Sequence, residues 1–169
     1  MEMSKAAFSI GGNGMKYEQA GSGDISDLVM LRLAYLWEDY GMIRSEIYAA
    51  IESSLPEYYQ KHLNSDLFAY ICRIQSEIVA CCFLYVAEKP ANPSFVKGKT
   101  GTVLNVYTKP EYRKRGIAEA LLKILLDDAR HMGLDYVELK STDSGYALYQ
   151  KIGFQDEPTK YHPMKYVFP

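Results

Sequence analysis

Residues 113–118 read Arg-Lys-Arg-Gly-Ile-Ala, three cations and a glycine directly ahead of a leucine-rich helical pattern. A loop of this kind opening a helix suits an anion. The first amides of a helix have no partner within it, the helix dipole favours negative charge there, and glycine lets a ligand approach the backbone. Taken alone, the same residues also read as a solvated basic turn before a core helix. Other chemistry has little support. His62, His131 and His162 are scattered without metal-ligand spacing, so no metal site is expected. Cys81 and Cys82 are adjacent and would face opposite ways on a strand; with Cys72 they read as free buried thiols. No Ser/His/Asp or Cys/His arrangement is legible in the order of residues. Gly11-Gly12-Asn13-Gly14 resembles a fragment of a nucleotide loop, but no strand is evident before it. Residues 1–14 therefore read as a leader or cloning remnant, and 15–169 as one domain.

The elements that must position this loop follow from periodicity and punctuation. A short strand at 15–19 leads through Gly21-Ser22-Gly23 to a helix capped by Asp24, with Ile25, Leu28, Val29 and Trp37 on its apolar face and Gly41 at its end. A second helix from Ser45 is expected to be interrupted at Pro56. The period then changes to that of strands, 67–73 and 78–86, joined as an antiparallel hairpin. Residues 88–100 hold two prolines and read as a loop near a site. A strand at 101–108, the basic loop, a helix at 118–132 with Leu121, Leu122, Leu125 and Leu126, and a strand at 136–139 form a unit that favours a parallel crossover. A short helix runs to Lys151, and Met164 to Phe168 reads as a last strand. The expectation is an α/β (α+β) domain, a mixed, twisted sheet of six or seven strands with helices on both faces.

Composition bounds the function. The 169 residues carry 48% hydrophobic and 24% charged side chains, a net charge of −2 and a pI near 5.9. That is a soluble globular balance, long enough for a proper core. Nucleic-acid binding through 113–115 is disfavoured, because the positive charge is local and a basic footprint is missing. No apolar run approaches the ~18 residues of a membrane helix, and no signal peptide is recognised, so no membrane partner and a cytoplasmic location are expected.

At this point the chain resembles the GCN5-related N-acetyltransferases. Arg113-x-x-Gly116-x-Ala118 fits that family's acyl-CoA signature, and Leu148-Tyr149-Gln150-Lys151-Ile152-Gly153-Phe154 is similar to its Leu-Tyr-x-x-x-Gly-Phe segment. The resemblance implies acetyl-CoA as acyl donor, an amine as acceptor, direct attack in a ternary complex, and a possible homodimer. It implies that Arg113, Lys114, Arg115, Gly116, Ile117 and Ala118 hold the CoA pyrophosphate through main-chain amides. It implies that Val106 and Thr108 expose main-chain groups to the pantetheine, with the Val106 N–H near the thioester carbonyl. Tyr149 matches the family's usual general acid. The general base is left open: many members place a glutamate on the strand where this chain has Asn105, and Glu38, Asp39 and Glu88 are the candidates from elsewhere. The acceptor site would be shaped by Tyr35, Trp37, Glu38, Asp39, Tyr40 and loop 88–100. Thr142 and Gly145 depart from the family's Asn-x-x-Ala. Asn105 also supports a second reading, a non-catalytic acyl-CoA-binding or regulatory module of the same fold.

Overall fold

The computed structural model of the chain describes residues 7–11 and 14–168. Six strands form one sheet in the order β1 (Ala7–Gly11), β2 (Met15–Gln19), β3 (Leu67–Ile74), β4 (Glu77–Glu88), β5 (Lys99–Thr108) and β6 (Tyr136–Glu138). All neighbours are antiparallel except β5 and β6, which are parallel and joined through a helix. Four helices complete the architecture: α1 (Ile25–Tyr40), α2 (Ser45–His62), α3 (Ile117–His131) and α4 (Asp143–Lys151).

The central strands β3 and β4 are buried on both faces, and their side chains alternate between two cores. Tyr70, Cys72, Cys82 and Leu84 join Ile117, Leu121, Leu122 and Leu125 of α3 on one face. Ala69, Ile71, Cys81 and Phe83 join Leu28 and Leu31 of α1 and Tyr59 of α2 on the other. Cys81 and Cys82 thus point to opposite cores, and all three cysteines are free and buried. No helix of the described residues is long and apolar enough to cross a membrane.

Several expectations change. Part of the segment read as a leader, Ala7–Gly11, is an edge strand paired with β2. It precedes the glycine cluster, but a strand follows, not a helix, so the arrangement is a hairpin and not a phosphate loop. Residues 1–6, 12 and 13 of that segment lie outside the described residues. Asp24 does not cap α1 with its side chain; it accepts the Gly21 amide (2.8 Å) and a guanidinium N–H of Arg73 (2.7 Å), closing a single 3₁₀ turn. Pro56 does not interrupt α2. Its missing N–H frees the Glu52 carbonyl, but Glu52 and Pro56 lie on the exposed side, where water can take the bond, while buried Tyr59 anchors the next turn. The seventh strand is not formed at 164–168. Tyr146 donates to Asp156 (2.6 Å), and a cavity of about 440 Å³ lined by Val137, Leu139 and Asp156 separates the chain beyond Phe154 from β6. The outer edge of β6 is left without a strand partner among the described residues.

The sheet opens where chemistry is expected. β6 pairs with β5 only at Thr100, Gly101 and Thr102, so β5 runs on unaccompanied on that side. Toward β4 the register shifts: Cys81 faces Tyr107 and Phe83 faces Leu104, so β5 carries an extra residue there. Asn105 is in this bulge, in the left-handed region at φ 51°, which asparagine tolerates better than most residues. Val106 has a register partner on neither neighbouring strand.

Candidate functional site

A groove of about 680 Å³ follows the opened edge of β5. One wall is the end of β5, with Val106, Tyr107 and Thr108; another is the 113–118 loop and the start of α3. The start of α4 (Thr142, Ser144, Gly145) and its Leu148 and Tyr149 close the far side, and Tyr35, Glu38 and Asp39 come from α1. The groove therefore gathers most of the expected residues.

The loop is built to leave amides free. Lys114 (φ 60°) and Gly116 (φ 75°) are both left-handed, which turns successive N–H groups toward one side. Gly116 caps α3 without a side-chain bond to its first amides, and the space where a Cβ would project from it is open. The 15-residue helix thus presents unpaired donors and the positive end of its dipole to the groove. Glu119, in the first turn, would oppose an anion. It is held by Lys123 (2.8 Å) and Lys151 of α4 (2.6 Å), which take its carboxyl down to about 2 and offset its charge. These features fit a pyrophosphate. The Arg115 side chain turns back to the Glu111 carbonyl (2.9 Å) and over the Tyr112 ring, so its role at the loop is through the main chain.

Arg113 turns across the groove to the acceptor side. Its Nη2 pairs with both Glu38 carboxylate oxygens (2.8 and 2.6 Å), and its Nε donates to the Thr108 carbonyl (2.8 Å). Tyr107 donates its hydroxyl to the same Glu38 (3.0 Å). Burial, then this bond, push the Tyr107 hydroxyl up to about 12. Glu38 is thereby fully engaged. Among the described residues Asp39 has only the Tyr35 hydroxyl, at 3.5 Å. Glu88 is set aside as a base: it pairs with Lys99 at the start of β5, roughly 20 Å along the strand from Val106. Trp37 and Tyr40 are exposed and do not line the groove, and the 89–98 loop is at the same remote end of β5 as Glu88.

Tyr149 is half-buried on α4, with its ring edge-on to Phe154 (5.9 Å) and laid against Gly145, where a Cβ would come within 2.8 Å of Cε2. Here the departure from the family's alanine has a physical consequence: a glycine makes room for the ring. Burial, with Cys82 and Tyr35 adding to it, raises the Tyr149 hydroxyl to about 12, so it holds its proton throughout the neutral range. Asn105 is unavailable as a base for a structural reason also. Its Nδ2 donates to the Cys81 sulfur (3.3 Å) and its Oδ1 accepts from Arg32 (3.0 Å). Sequence reasoning missed Tyr107, Glu119 and Arg32. Period-two alternation alone would place Tyr107 with Val103 and Asn105; the bulge moves Asn105 and Tyr107 to the α1 face, and only an extra residue in β5 produces that.

Comparison with known proteins agrees with this geometry. A predicted acetyltransferase from Clostridium acetobutylicum, whose structure is with acetyl-CoA, superimposes with a TM-score of 0.78 at 28% identity, covering 89% of this chain and 96% of that one. A GCN5-related N-acetyltransferase from Ralstonia eutropha JMP134 gives 0.76 at 24% identity, covering 89% and 99%. A ribosomal-protein-alanine N-acetyltransferase from Brucella melitensis biovar Abortus 2308 shares the fold at 0.66 and 19% identity, covering 89% and 99%. No curated protein sequence matches significantly. The model of the acetyltransferase (GNAT) family matches residues 33–154, which span the second half of α1, the splayed β5, the loop and the Tyr149 helix. The chain belongs to the acetyltransferase (GNAT) family.

Proposed function

We propose that this protein transfers the acetyl group of acetyl-CoA to a primary amine, by direct attack in a ternary complex. The observation that carries the reading is the meeting, in one groove, of a helix start with unpaired amides, a strand edge with unpaired positions, and a protonated tyrosine. Acetyl-CoA supplies an activated acyl group: a C–N bond forms as the C–S bond breaks, one amine proton goes to a base, and the sulfur leaves as thiolate. Main-chain amides of Arg113, Lys114, Arg115, Gly116, Ile117 and Ala118 hold the pyrophosphate. Val106 and Thr108 receive the pantetheine along the free edge of β5, and the Val106 N–H stabilises negative charge on the carbonyl oxygen. Tyr149 donates from its hydroxyl to the departing sulfur. Asp39, whose only bond among the described residues is a long one to Tyr35, accepts the proton of the attacking amine directly or through water.

The test is calorimetric titration with acetyl-CoA together with thiol release on a panel of amines. Gly116→Glu places a carboxylate and a side chain into the open space before α3; cofactor affinity is expected to fall at least about tenfold, the effect of about 1.4 kcal/mol. Unaltered affinity in a folded variant, or no binding by the native protein, defeats the proposal. Asn105 in place of a carboxylate favours a second reading, a binding module without turnover, and acetyl-CoA binding with no thiol release on any amine would select it.

A further inference from the structure

One charge in the acceptor half of the molecule has no counter-ion. Arg32 is half-buried on α1, and among the described residues no carboxylate lies within ion-pair distance of it. Of the five N–H donors of a guanidinium, one goes to a neutral acceptor, Asn105 Oδ1 at 3.0 Å. Its guanidinium also lies over the Tyr35 ring, 5.4 Å from Cζ to centroid. A cation taken from water in this way costs free energy unless an anion or several acceptors meet it. Folds usually supply a carboxylate, and this one supplies an amide.

The position makes the missing anion informative. Arg32, Tyr35 and Asp39 are spaced i, i+3 and i+7, so they form one stripe along α1. Tyr35 and Asp39 line the groove, and Asn105, which Arg32 bonds, immediately precedes Val106. The stripe is cation, aromatic ring, carboxylate, and Arg32 is set behind Tyr35 and Asp39 against Asn105 of β5.

We infer that the acceptor is an amine that also carries a carboxylate, an amino acid in the simplest case, with its carboxylate on Arg32 and its amine toward Val106. This rests on the acetyl transfer proposed above. A planar guanidinium with unused donors matches a carboxylate in two-point geometry, which a lysine would not. The short separation of carboxylate and amine in an α-amino acid matches the adjacency of Asn105 and Val106.

The experiment measures thiol release from acetyl-CoA with the L-amino acids, each paired with its own carboxamide, beside calorimetric titration with acetyl-CoA. The acids are expected to exceed their amides in kcat/KM by on the order of 10- to 100-fold, the effect of a lost charged hydrogen-bond pair. In Arg32→Met that ratio is expected to collapse toward one while acetyl-CoA affinity is kept. Should Arg32→Met fail to fold, Arg32→Lys decides, since a retained charge is expected to keep a reduced preference for acids. Equal turnover of acids and amides, an equal loss on both in the variant, or acetyl-CoA binding with no acid acetylated overturns the inference and leaves the donor site standing. Failure to bind acetyl-CoA overturns both.

Discussion

Replacing Tyr149 with phenylalanine isolates one hydroxyl. The ring keeps its contacts with Phe154 and with the Gly145 backbone, so folding and the shape of the groove are retained. What goes, on the proposed mechanism, is a donor to the sulfur that acquires negative charge. A hydrogen bond to a charged group is worth about 1.5–3 kcal/mol, and proton donation by a placed side chain typically contributes about 10²- to 10⁴-fold. The expectation is a fall in kcat of about 10²-fold, equivalent to about 2.7 kcal/mol. The acetyl-CoA dissociation constant should stay within about twofold, because the pyrophosphate is held by the loop. The pH profile adds a second measure. With its hydroxyl raised to about 12, Tyr149 stays protonated well above the ordinary 10, so kcat of the native enzyme should show no alkaline fall up to about pH 10. The raised value also narrows the role. Relative to a thiol near 8.5, complete proton transfer is uphill by about 3.5 units, so the hydroxyl acts chiefly by hydrogen bonding to the forming thiolate. Single-turnover thiol release and calorimetry check these numbers. An unchanged kcat in Tyr149→Phe, or an alkaline limb near 8.5 that the substitution abolishes, would refute the assignment.

Two further predictions concern stability. Burial raises the thiols of Cys72 to about 11 and Cys81 to about 12 from an ordinary 9.0, so the unfolded chain loses these protons first as pH rises. Their contribution is whole below pH 9 and declines as pH climbs toward 11 and 12, at about 1.4 kcal/mol per pH unit for each group; urea midpoints should be level from pH 7 to 8.5 and fall above 9, and a midpoint that rises there would contradict the burial of these thiols. The Tyr70 hydroxyl is fully buried without a hydrogen-bond partner among the described residues, although Asp128 is near enough to push its ionisation further upward. Tyr70→Phe should therefore be neutral or stabilising by up to about 1 kcal/mol in urea unfolding; a loss above about 1 kcal/mol would mean that Asp128 accepts a real bond.

Much of the fold was legible because it depends on signals that are local in sequence. The leucines of α3 repeat with a helical period, Gly133 ends the helix, and 67–88 carries two strand patterns around a tight turn. The loop was legible for the same reason: Gly116 and three cations adjoin a helix start. What stayed hidden depends on distant partners. Pro56 reads as a break, yet burial of Tyr59 carries α2 through it. The pattern at 164–168 has strand propensity, yet no strand forms there. The pairing of Arg113 with Glu38 joins residues 75 positions apart and is invisible to any local pattern.

Asn105 shows how such hidden geometry decides chemistry. In the sequence it appears as a deficiency, an amide where many relatives have a carboxylate. In the fold it occupies a left-handed bulge position, is buried to 6% exposure, and bridges Cys81 to Arg32. A glutamate there would lose the Nδ2 donor to Cys81 and would put a negative charge beside the Arg32 guanidinium. The cation would then be neutralised within the protein. An asparagine orients the guanidinium and leaves its charge unspent. On the proposed mechanism, the same residue would leave deprotonation to α1 and keep the Arg32 cation free for an anionic acceptor.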